Sequence, residues 1–205
     1  LVDAPSRPRN AIIPGCLVDA IVVAEPEERN EAYTALTGSF EIPYKEWHTW
    51  NEKIHELSRK QRKNNIPANI IGKRAARELR VDDIVNIGIG IPETVSRYAR
   101  KSGMLDMITL TVESGGIGGF PVSGEAFGAM IGAASVYDMA NQFDLYDNGG
   151  LDVCFMGALE VDRHGNINAH RGTGAFAGIG GFANITAKTP TVVFCMTFNA
   201  QGLEV

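Results

Sequence analysis

Residues 66–80 carry the clearest helical pattern of the chain. Apolar side chains recur there at intervals of three and four residues, as expected for one face of a helix. The apolar positions are Ile70, Ile71, Ala75, Ala76 and Leu79, and the basic positions opposite them are Lys73, Arg74, Arg77 and Arg80. Asp82 and Asp83 end the helix, and the run Ile84–Ile87 that follows predicts a buried strand.

A second helix and a second strand follow in the same order. Glu93–Lys101 is predicted to be helical, because Pro92 suits the first turn of a helix and Gly103 suits the position just past its end. Residues 107–112 form the next predicted strand. This alternation with short connections predicts an α/β domain with an open, largely parallel sheet flanked by helices.

Apolar runs predict further strands outside this region. Leu151–Val161 is predicted to be one long strand, residues 162–166 a hairpin turn with His164 at its tip, and Thr191–Phe198 another buried strand. The run Gly15–Val23 predicts one more strand. Because a single strand is not stable alone, we expect this run to belong to an upstream domain.

These patterns divide the chain into three parts. Residues 1–25 are interpreted as the remnant of an upstream domain, and the polar residues 26–65 as a linker. Residues 66–205 form the main domain, which we expect to be truncated at its C-terminus. The chain does not begin with Met, so we expect it to start inside a longer protein.

Composition indicates an ordinary globular protein. Of the 205 residues, 44% are hydrophobic and 21% are charged, and the net charge of −5 argues against nonspecific nucleic-acid binding. No run approaches the roughly 20 apolar residues that span a bilayer, and residues 1–9 lack the apolar core of a secretion signal. Cys16, Cys154 and Cys195 lack metal-ligand spacing, which favours inert thiols in a reducing, cytoplasmic setting.

Glu113 is the strongest candidate for chemistry. It follows the strand 107–112, and Gly115, Gly116, Gly118 and Gly119 come directly after it. Glycines let a ligand approach the backbone and let N–H groups point at an anion. A carboxylate that only caps the turn is the simpler interpretation, but a cap does not need four glycines. We therefore interpret Glu113 as a nucleophile.

Two further glycine-rich turns accompany the one after Glu113. Residues 88–92 follow a strand and open a helix, an arrangement that suits a phosphate group, and residues 178–181 read Gly-Ile-Gly-Gly. The first turn is not a dinucleotide-binding motif, because Glu93 stands where the third glycine is required. Tight packing explains any single turn of this kind equally well.

Conventional catalytic motifs are missing from the sequence. It contains no His-x-x-x-His, Cys-x-x-Cys or Gly-x-Ser-x-Gly, so it predicts neither a metal site nor a serine hydrolase. His48 and His55 lie in the linker, and His170 is interpreted as structural. Glu93 and Glu125 are the rival carboxylates, each interpreted as a solvent-facing or first-turn charge of a helix.

Several blocks of this sequence, in order, resemble the family I coenzyme A transferases. The most similar group is the single-chain acetate/propionate, or short-chain acyl, type, in which an α-like and a β-like half are fused. The matching blocks are residues 86–92, 111–119, 146–152 and 178–185, and residues 15–25 resemble the last strand of the α-like half. The resemblance implies the CoA-transferase (NagB/RpiA-like) fold, and it makes residues 66–205 the β-like catalytic domain.

The resemblance also implies a covalent, ping-pong mechanism. Glu113 would attack an acyl-CoA thioester to give an anhydride, and CoA would return to form a glutamyl-CoA thioester. A thiol with a pKa of about 8.5 leaves without a general acid, and a carboxylate with a pKa of about 4.3 needs no general base. The residues implied to bind the oxyanion or acyl group are Gly115, Gly116, Gly118, Gly119, Gly180 and Gly181, and those implied to bind CoA are Gly88, Ile89, Gly90, Ile91 and Pro92.

Two alternatives to transfer stay open: an acyl-CoA hydrolase on the same scaffold, and a CoA-binding subunit that is inactive without an α-like partner. We expect acyl-CoA and short carboxylic acids as substrates, no cofactor beyond CoA itself, and no nucleic acid or membrane as a partner. The α-like half is expected as a fused or separate chain, in a homo-oligomer. The family implies a role in short-chain fatty acid or ketone body metabolism.

Overall fold

A computed structural model describes residues 18–21, 66–121, 128–172, 175–176 and 178–197. The chain divides into two compact units, Leu1–Glu31 and Ala32–Val205. In the first unit, residues 18–21 form no strand, and Val18 and Ile21 are 36% and 58% exposed. The predicted buried strand is therefore wrong for these four residues. The rest of that run and the predicted linker lie outside the described residues, and the three-part division remains a prediction.

The second unit contains four described α-helices. They are α1 (Ile66–Ala75), α2 (Thr94–Lys101), α3 (Met139–Asp147) and α4 (Phe182–Ala187), with short 3₁₀ helices at Ala76–Glu78 and Met104–Met107. The strands are β1 (Ile84–Ile87), β2 (Thr109–Thr111), β3 (Gly116–Ile117), β4 (Phe120–Pro121), β5 (Met130–Ile131), β6 (Ser135–Val136), β7 (Val153–Met156), β8 (Glu160–Val161), β9 (Ile167–Asn168), β10 (Arg171–Gly172), β11 (Ala175–Phe176) and β12 (Thr191–Phe194).

Six of these strands form the central sheet, in the order β12-β7-β1-β2-β3-β6. The first four strands are parallel, whereas β3 and β6 pair antiparallel at one end. The three other strand pairs are small antiparallel hairpins. The predicted α/β fold with a largely parallel sheet is confirmed.

Helices cover both faces of the sheet. Alternate residues of a strand point to opposite faces, so Val85 and Ile87 pack with α1 and α2, whereas Asn86 faces α3 and α4. We call these the α1/α2 face and the α3/α4 face. The core of the α1/α2 face contains Ala75, Leu79, Val85, Ile87, Val95, Ala99, Leu110, Val112, Met130, Val153, Phe155 and Cys195. The core of the α3/α4 face contains Tyr146, Leu151, Cys154, Met156 and Ile185.

The first helix is present and packs mainly with the predicted face, since Ala75 and Leu79 lie in the core and Ile71 and Ala76 pack against it. Ala68, Gly72 and Ala75 are buried, whereas Ile70 is 64% exposed. A methyl group on Gly72 would lie 2.0 Å from Thr94 Oγ1, so this helix approaches α2 through its smallest residues. The close approach of the two helices therefore leaves Ile70 outside the buried face, and the prediction for Ile70 was wrong.

The predicted strand Leu151–Val161 is interrupted. It forms β7 and β8, with Gly157 and Ala158 in neither strand. The hairpin turn that follows is confirmed: the Asp162 carboxylate accepts the N–H groups of His164 and Asn166, each at 2.8 Å. The strand predicted at Thr191–Phe198 ends at Phe194.

Two of the three cysteines lie in the described residues. Cys154 and Cys195 are free and buried, and burial raises the pKa of their thiols to about 12 and about 11. Their predicted inertness is thereby supported, whereas Cys16 lies outside the described residues. Among the helices that the structure describes, none is long and apolar enough to cross a membrane.

Candidate active site

Glu113 lies at the carboxyl end of β2, the predicted position. Val112 is buried beside it, and Glu113 itself is half-buried in the turn that follows. In open parallel sheets, ligands bind at the carboxyl ends of the strands. The glycine turn after β1 lies at this edge as well. Gly180 and Gly181 do too, because α4 runs back from them to the start of β12. The structure thus brings three predicted features to one edge.

The environment of Glu113 opposes its charge. Burial raises the pKa of this carboxyl, while hydrogen bonds from its own backbone N–H and from the Asn86 side chain act in the opposite direction. Within the described ranges, no lysine or arginine forms an ion pair with Glu113. Among the described residues, the carboxylate therefore has a nearby neutral donor but no neutralising cation, which is unusual for a purely structural acid.

The turn after Glu113 is built by close packing. The carbonyl oxygen of Tyr137 lies 1.9 Å from where a Cβ on Gly115 would be, and Gly115 has a φ of 109°. The N–H of Gly115 donates to Val112 O at 3.0 Å, that of Gly118 to Leu110 O at 2.8 Å, and that of Gly119 to Met130 Sδ at 3.2 Å. These three amides already have acceptors, so their predicted oxyanion role finds no support in this arrangement. Gly116 is part of β3, and its predicted role remains a prediction.

The turn at 178–181 is more open. Gly178 and Gly180 have φ values of 78° and 55°, and a Cβ on either would meet nothing within 4 Å. Within the described part of the chain, the N–H groups of Gly180 and Gly181 donate to no acceptor. Of the glycines predicted to bind an oxyanion, these two thus have amides without an acceptor among the described residues.

The turn at 88–92 joins β1 to α2. The Gly88 N–H donates to Phe155 O at 2.8 Å, which ties the turn to β7. The Gly90 N–H donates to the Glu93 carboxylate at 2.7 Å, with a φ of 87° at Gly90. Glu93 is buried at the N-cap position, directly before α2, so it is neither solvent-facing nor within the first turn, and the prediction for this residue was wrong. Within this turn, the side chain of Ile89 is exposed.

The other candidates are less informative. His164 and His170 are exposed, whereas His48, His55 and the rival Glu125 lie outside the described residues. No group of three or more His, Cys, Asp or Glu within the described ranges could hold a metal ion.

A buried polar cluster beside Glu113 was missed by the sequence analysis. Asn86 and Gln142 are 0% exposed, Thr111 is 1% exposed, and Tyr146 is 0% exposed. We call these four residues the buried polar cluster. A polar residue in the middle of the apolar strand Ile-Val-Asn-Ile was the available signal, since buried polar groups require partners.

The fold and this edge of the sheet define a class of α/β protein with its candidate site at the strand ends. Comparison with known sequences is more specific: residues 68–194 match the model of the family described as Coenzyme A transferase. The chain belongs to this family, and the predicted resemblance is confirmed.

Individual relatives agree with this assignment. The chain is 37% identical to acetate CoA-transferase YdiF of Escherichia coli K12 over 204 residues, covering 98% of this chain and 36% of that protein. It is 34% identical to the acetate CoA-transferase subunit beta of the same organism, covering 64% of each chain. The crystal structure of the acyl-CoA transferase YdiF from E. coli O157:H7, a thioester complex with CoA, matches with a TM-score of 0.60 and 38% identity over 67% of this chain and 25% of that one. The chain thus spans about a third of YdiF.

Proposed function

We propose that this chain transfers CoA between a short-chain acyl-CoA and a carboxylic acid through a covalent thioester on Glu113. One observation carries the proposal: Glu113 stands at the carboxyl edge of the parallel sheet, half-buried, with a neutral donor beside it and no paired cation in the described residues. The name of the relative YdiF and its thioester complex with CoA support the same chemistry.

The reaction proceeds in two halves that run in reverse for the acceptor acid. In the first, a Glu113 oxygen attacks the thioester carbon, the C–S bond breaks, and CoA leaves as a thiolate, giving an acyl-glutamyl anhydride. In the second, the thiolate attacks the glutamyl carbon, the bond to the acyl carboxylate breaks, and glutamyl-CoA forms. Charge balances in both halves, since one anion enters and one leaves. Neither half needs a general acid or base, which fits the absence of a histidine from the described site.

Main-chain amides are the proposed donors to the thioester oxygen in the first half. Gly180 and Gly181 suit this role because their N–H groups have no acceptor in the described residues. One such donor is typically worth about 3–4 kcal/mol. The turn Gly88–Pro92 is the proposed contact for CoA, with Ile89 as its exposed apolar side chain. Phe120 and Phe182 are the proposed apolar side chains that keep water from the anhydride.

The proposal includes the partners of the site. CoA acts as a substrate, and no further cofactor is required by the chemistry. We propose an α-like half, fused or separate, and a homo-oligomer, because one relative is named as a subunit beta. A cytoplasmic location and a role in short-chain fatty acid or ketone body metabolism belong to the same proposal.

The likeness to a subunit beta favours one alternative, a CoA-binding subunit that is inactive alone. Acetyl-CoA consumption, measured with and without an α-like chain, distinguishes the two functions. If this chain is such a subunit, acetyl-CoA consumption should be negligible without an α-like chain and should appear when that chain is added. Transfer, in contrast to hydrolysis, should also require a second carboxylic acid.

The direct test is replacement of Glu113 by glutamine. We expect Glu113→Gln to lower transfer below detection while CoA affinity changes little, because the amide keeps the shape of the side chain but is not a nucleophile. Incubation of the wild-type protein with acyl-CoA, followed by peptide mass spectrometry, should show CoA on the peptide that contains Glu113. Glu78→Gln, at an exposed glutamate paired with Arg74, is the matched control and should leave both readouts unchanged. Full activity of Glu113→Gln would reject the proposal.

A further inference from the structure

The buried polar cluster lies on an otherwise apolar face of the sheet. Asn86 of β1 is in register with Thr111 of β2 and with Cys154 of β7, so these side chains share the α3/α4 face. Gln142 and Tyr146 are four residues apart on α3 and therefore face the sheet together. Burying polar groups among apolar ones is unfavourable unless each finds a partner, so this cluster needs a specific explanation.

The donor and acceptor of each hydrogen bond in the cluster follow from the bond made by Thr111. The Thr111 hydroxyl donates to Val85 O at 3.0 Å, so it accepts from the Tyr146 hydroxyl, also at 3.0 Å. A phenol has one hydrogen, which makes Tyr146 Oη an acceptor towards its other neighbours. Gln142 Nε2 donates to it at 2.9 Å and Asn86 Nδ2 at 3.4 Å. Tyr146 thus requires Asn86 to present its NH₂ group rather than its carbonyl oxygen.

This orientation leaves acceptors unused. Among the described residues, neither Asn86 Oδ1 nor Gln142 Oε1 accepts a hydrogen bond, although both are buried. A cluster arranged for stability alone would pair these oxygens, because an unsatisfied buried polar atom costs about 1–3 kcal/mol. The arrangement therefore fixes the orientation of the Asn86 NH₂ group and leaves the two amide oxygens without hydrogen-bond donors.

The Asn86 side chain lies close enough to Glu113 to lower the pKa of its carboxyl, against the larger effect of burial. Glu113 lies two residues beyond Thr111 along the chain, and Thr111 is the register partner of Asn86. Asn86 has two N–H hydrogens on Nδ2. One is donated to Tyr146 Oη, which leaves the second for another acceptor, and the nearby Glu113 carboxylate is the candidate.

We propose that Asn86 is a catalytic residue whose Nδ2–H binds one oxygen of Glu113 and stays on that oxygen while its charge changes, with Tyr146 as the residue that positions the amide. This inference rests on the proposed function. In the first half of the reaction the bound oxygen is held and the other oxygen attacks. In the second half the CoA thiolate adds to the glutamyl carbon, and the C=O electron pair moves onto the oxygen that Asn86 binds. Collapse restores the C=O bond and expels the acyl carboxylate.

Asn86 would therefore donate a hydrogen bond to the glutamyl oxyanion, whereas Gly180 and Gly181 would donate to the oxygen of the incoming thioester. A donor placed on a developing oxyanion typically changes kcat by about 10²–10³-fold. The pH dependence of the rate can report on residue 86, because few groups around it titrate near neutral pH. Thr111 is neutral, burial raises the pKa of Tyr146, and the pKa of Cys154 is about 12, so apart from Glu113 itself these side chains around Asn86 carry no charge near neutral pH.

The test is Asn86→Asp, which keeps the shape but exchanges the NH₂ group for a titratable one. When protonated, the new carboxyl group donates to Glu113; when ionised, it repels Glu113. For the wild type, we expect the single-turnover rate of glutamyl-CoA formation to rise with pH to a plateau. For Asn86→Asp, we expect a bell-shaped profile and a rate roughly 10²-fold lower at neutral pH, with CoA affinity little changed.

Asn69→Asp is the matched control, because it adds the same charge on α1, where Arg97 donates to Asn69 Oδ1 at 2.9 Å. Its profile should keep the wild-type shape. All variants are measured in the native assembly of the protein. If Asn86→Asp does not fold, Asn86→Ser replaces it, and we expect the same roughly 10²-fold loss because the shorter side chain does not reach Glu113.

The outcomes separate the two proposals. A wild-type profile in Asn86→Asp, or a wild-type rate in Asn86→Ser, would overturn the role of Asn86 while leaving the thioester mechanism intact. Absence of any CoA adduct on Glu113 in the wild-type protein would instead overturn the proposed function, and this inference with it.

Discussion

The two faces of the central sheet are built from alternate residues of the same strands, but they differ in chemistry. Val85 and Leu110 point into an apolar core on the α1/α2 face. Their neighbours Asn86 and Thr111 point to the α3/α4 face and join the buried polar cluster beside Glu113. Each of these short strands thus contributes to the core with one side and to the candidate site with the other. The comparison predicts that neighbouring substitutions will affect different properties.

The largest effect is expected from Leu110→Ala on the apolar face. Leu110 is 2% exposed, and truncation of a buried leucine typically lowers the free energy of unfolding by about 2–5 kcal/mol. Urea denaturation should show this loss. The rate of adduct formation per folded molecule should stay within about threefold of the wild type, because no atom of the site is removed. A large fall in that rate without a loss of stability would contradict the division between the faces.

An intermediate effect is expected one residue further, from Thr111→Val on the polar face. The substitution keeps the side-chain shape but removes the acceptor of the Tyr146 hydroxyl. An unsatisfied buried donor costs about 1–3 kcal/mol, and we expect Asn86 to relieve it by turning its carbonyl oxygen towards Tyr146 Oη. That rotation would take the NH₂ group away from Glu113 and slow adduct formation.

The control for this experiment is Thr111→Ser, which restores a hydroxyl at the same position. We expect it to recover most of the wild-type rate in the same single-turnover assay. If Thr111→Val and Thr111→Ser are equally fast, Tyr146 does not position the amide, and the cluster is only a structural feature.

Local patterns in the sequence were enough to predict most of the sheet and the position of Glu113. The strands at Ile84–Ile87 and after Met107 are short apolar runs between helices. Runs of this length and position are typical of buried strands. Glu113 directly follows one of them, so its place at the edge needs no tertiary information. The Gly115 turn was also visible, although its amides point elsewhere than predicted.

The features that were missed depend on contacts distant in sequence. Asn86 and Tyr146 are separated by 60 positions and meet only when α3 packs on the sheet. A local sequence pattern cannot predict this contact. The exposed Ile70 has a similar origin, because the close approach of Gly72 to Thr94 sets the rotation of α1. The local pattern of hydrophobic residues does not predict how closely two helices approach each other.

The smallest expected effect concerns the pH dependence of stability on the polar face. Burial raises the pKa of Glu113 in the folded protein. A carboxyl group with a raised folded pKa contributes stability fully below its unfolded pKa, near about 4.3, and this contribution is lost as pH rises through the folded value. Glu113→Gln should therefore be more stable than the wild type at neutral pH in urea denaturation. The difference should shrink on acidification.

Repeating this comparison in an Asn86→Ala background connects the stability of Glu113 to the proposed role of Asn86. The Asn86 hydrogen bond opposes the effect of burial on the Glu113 pKa. Without that donor, the ionised carboxylate should be less stable in the folded protein, and the stability gained through Glu113→Gln at neutral pH should increase. Because the two residues contact each other, their effects should not be additive. An unchanged gain would mean that Asn86 does not stabilise the ionised carboxylate, even if it remained essential for the shape of the core.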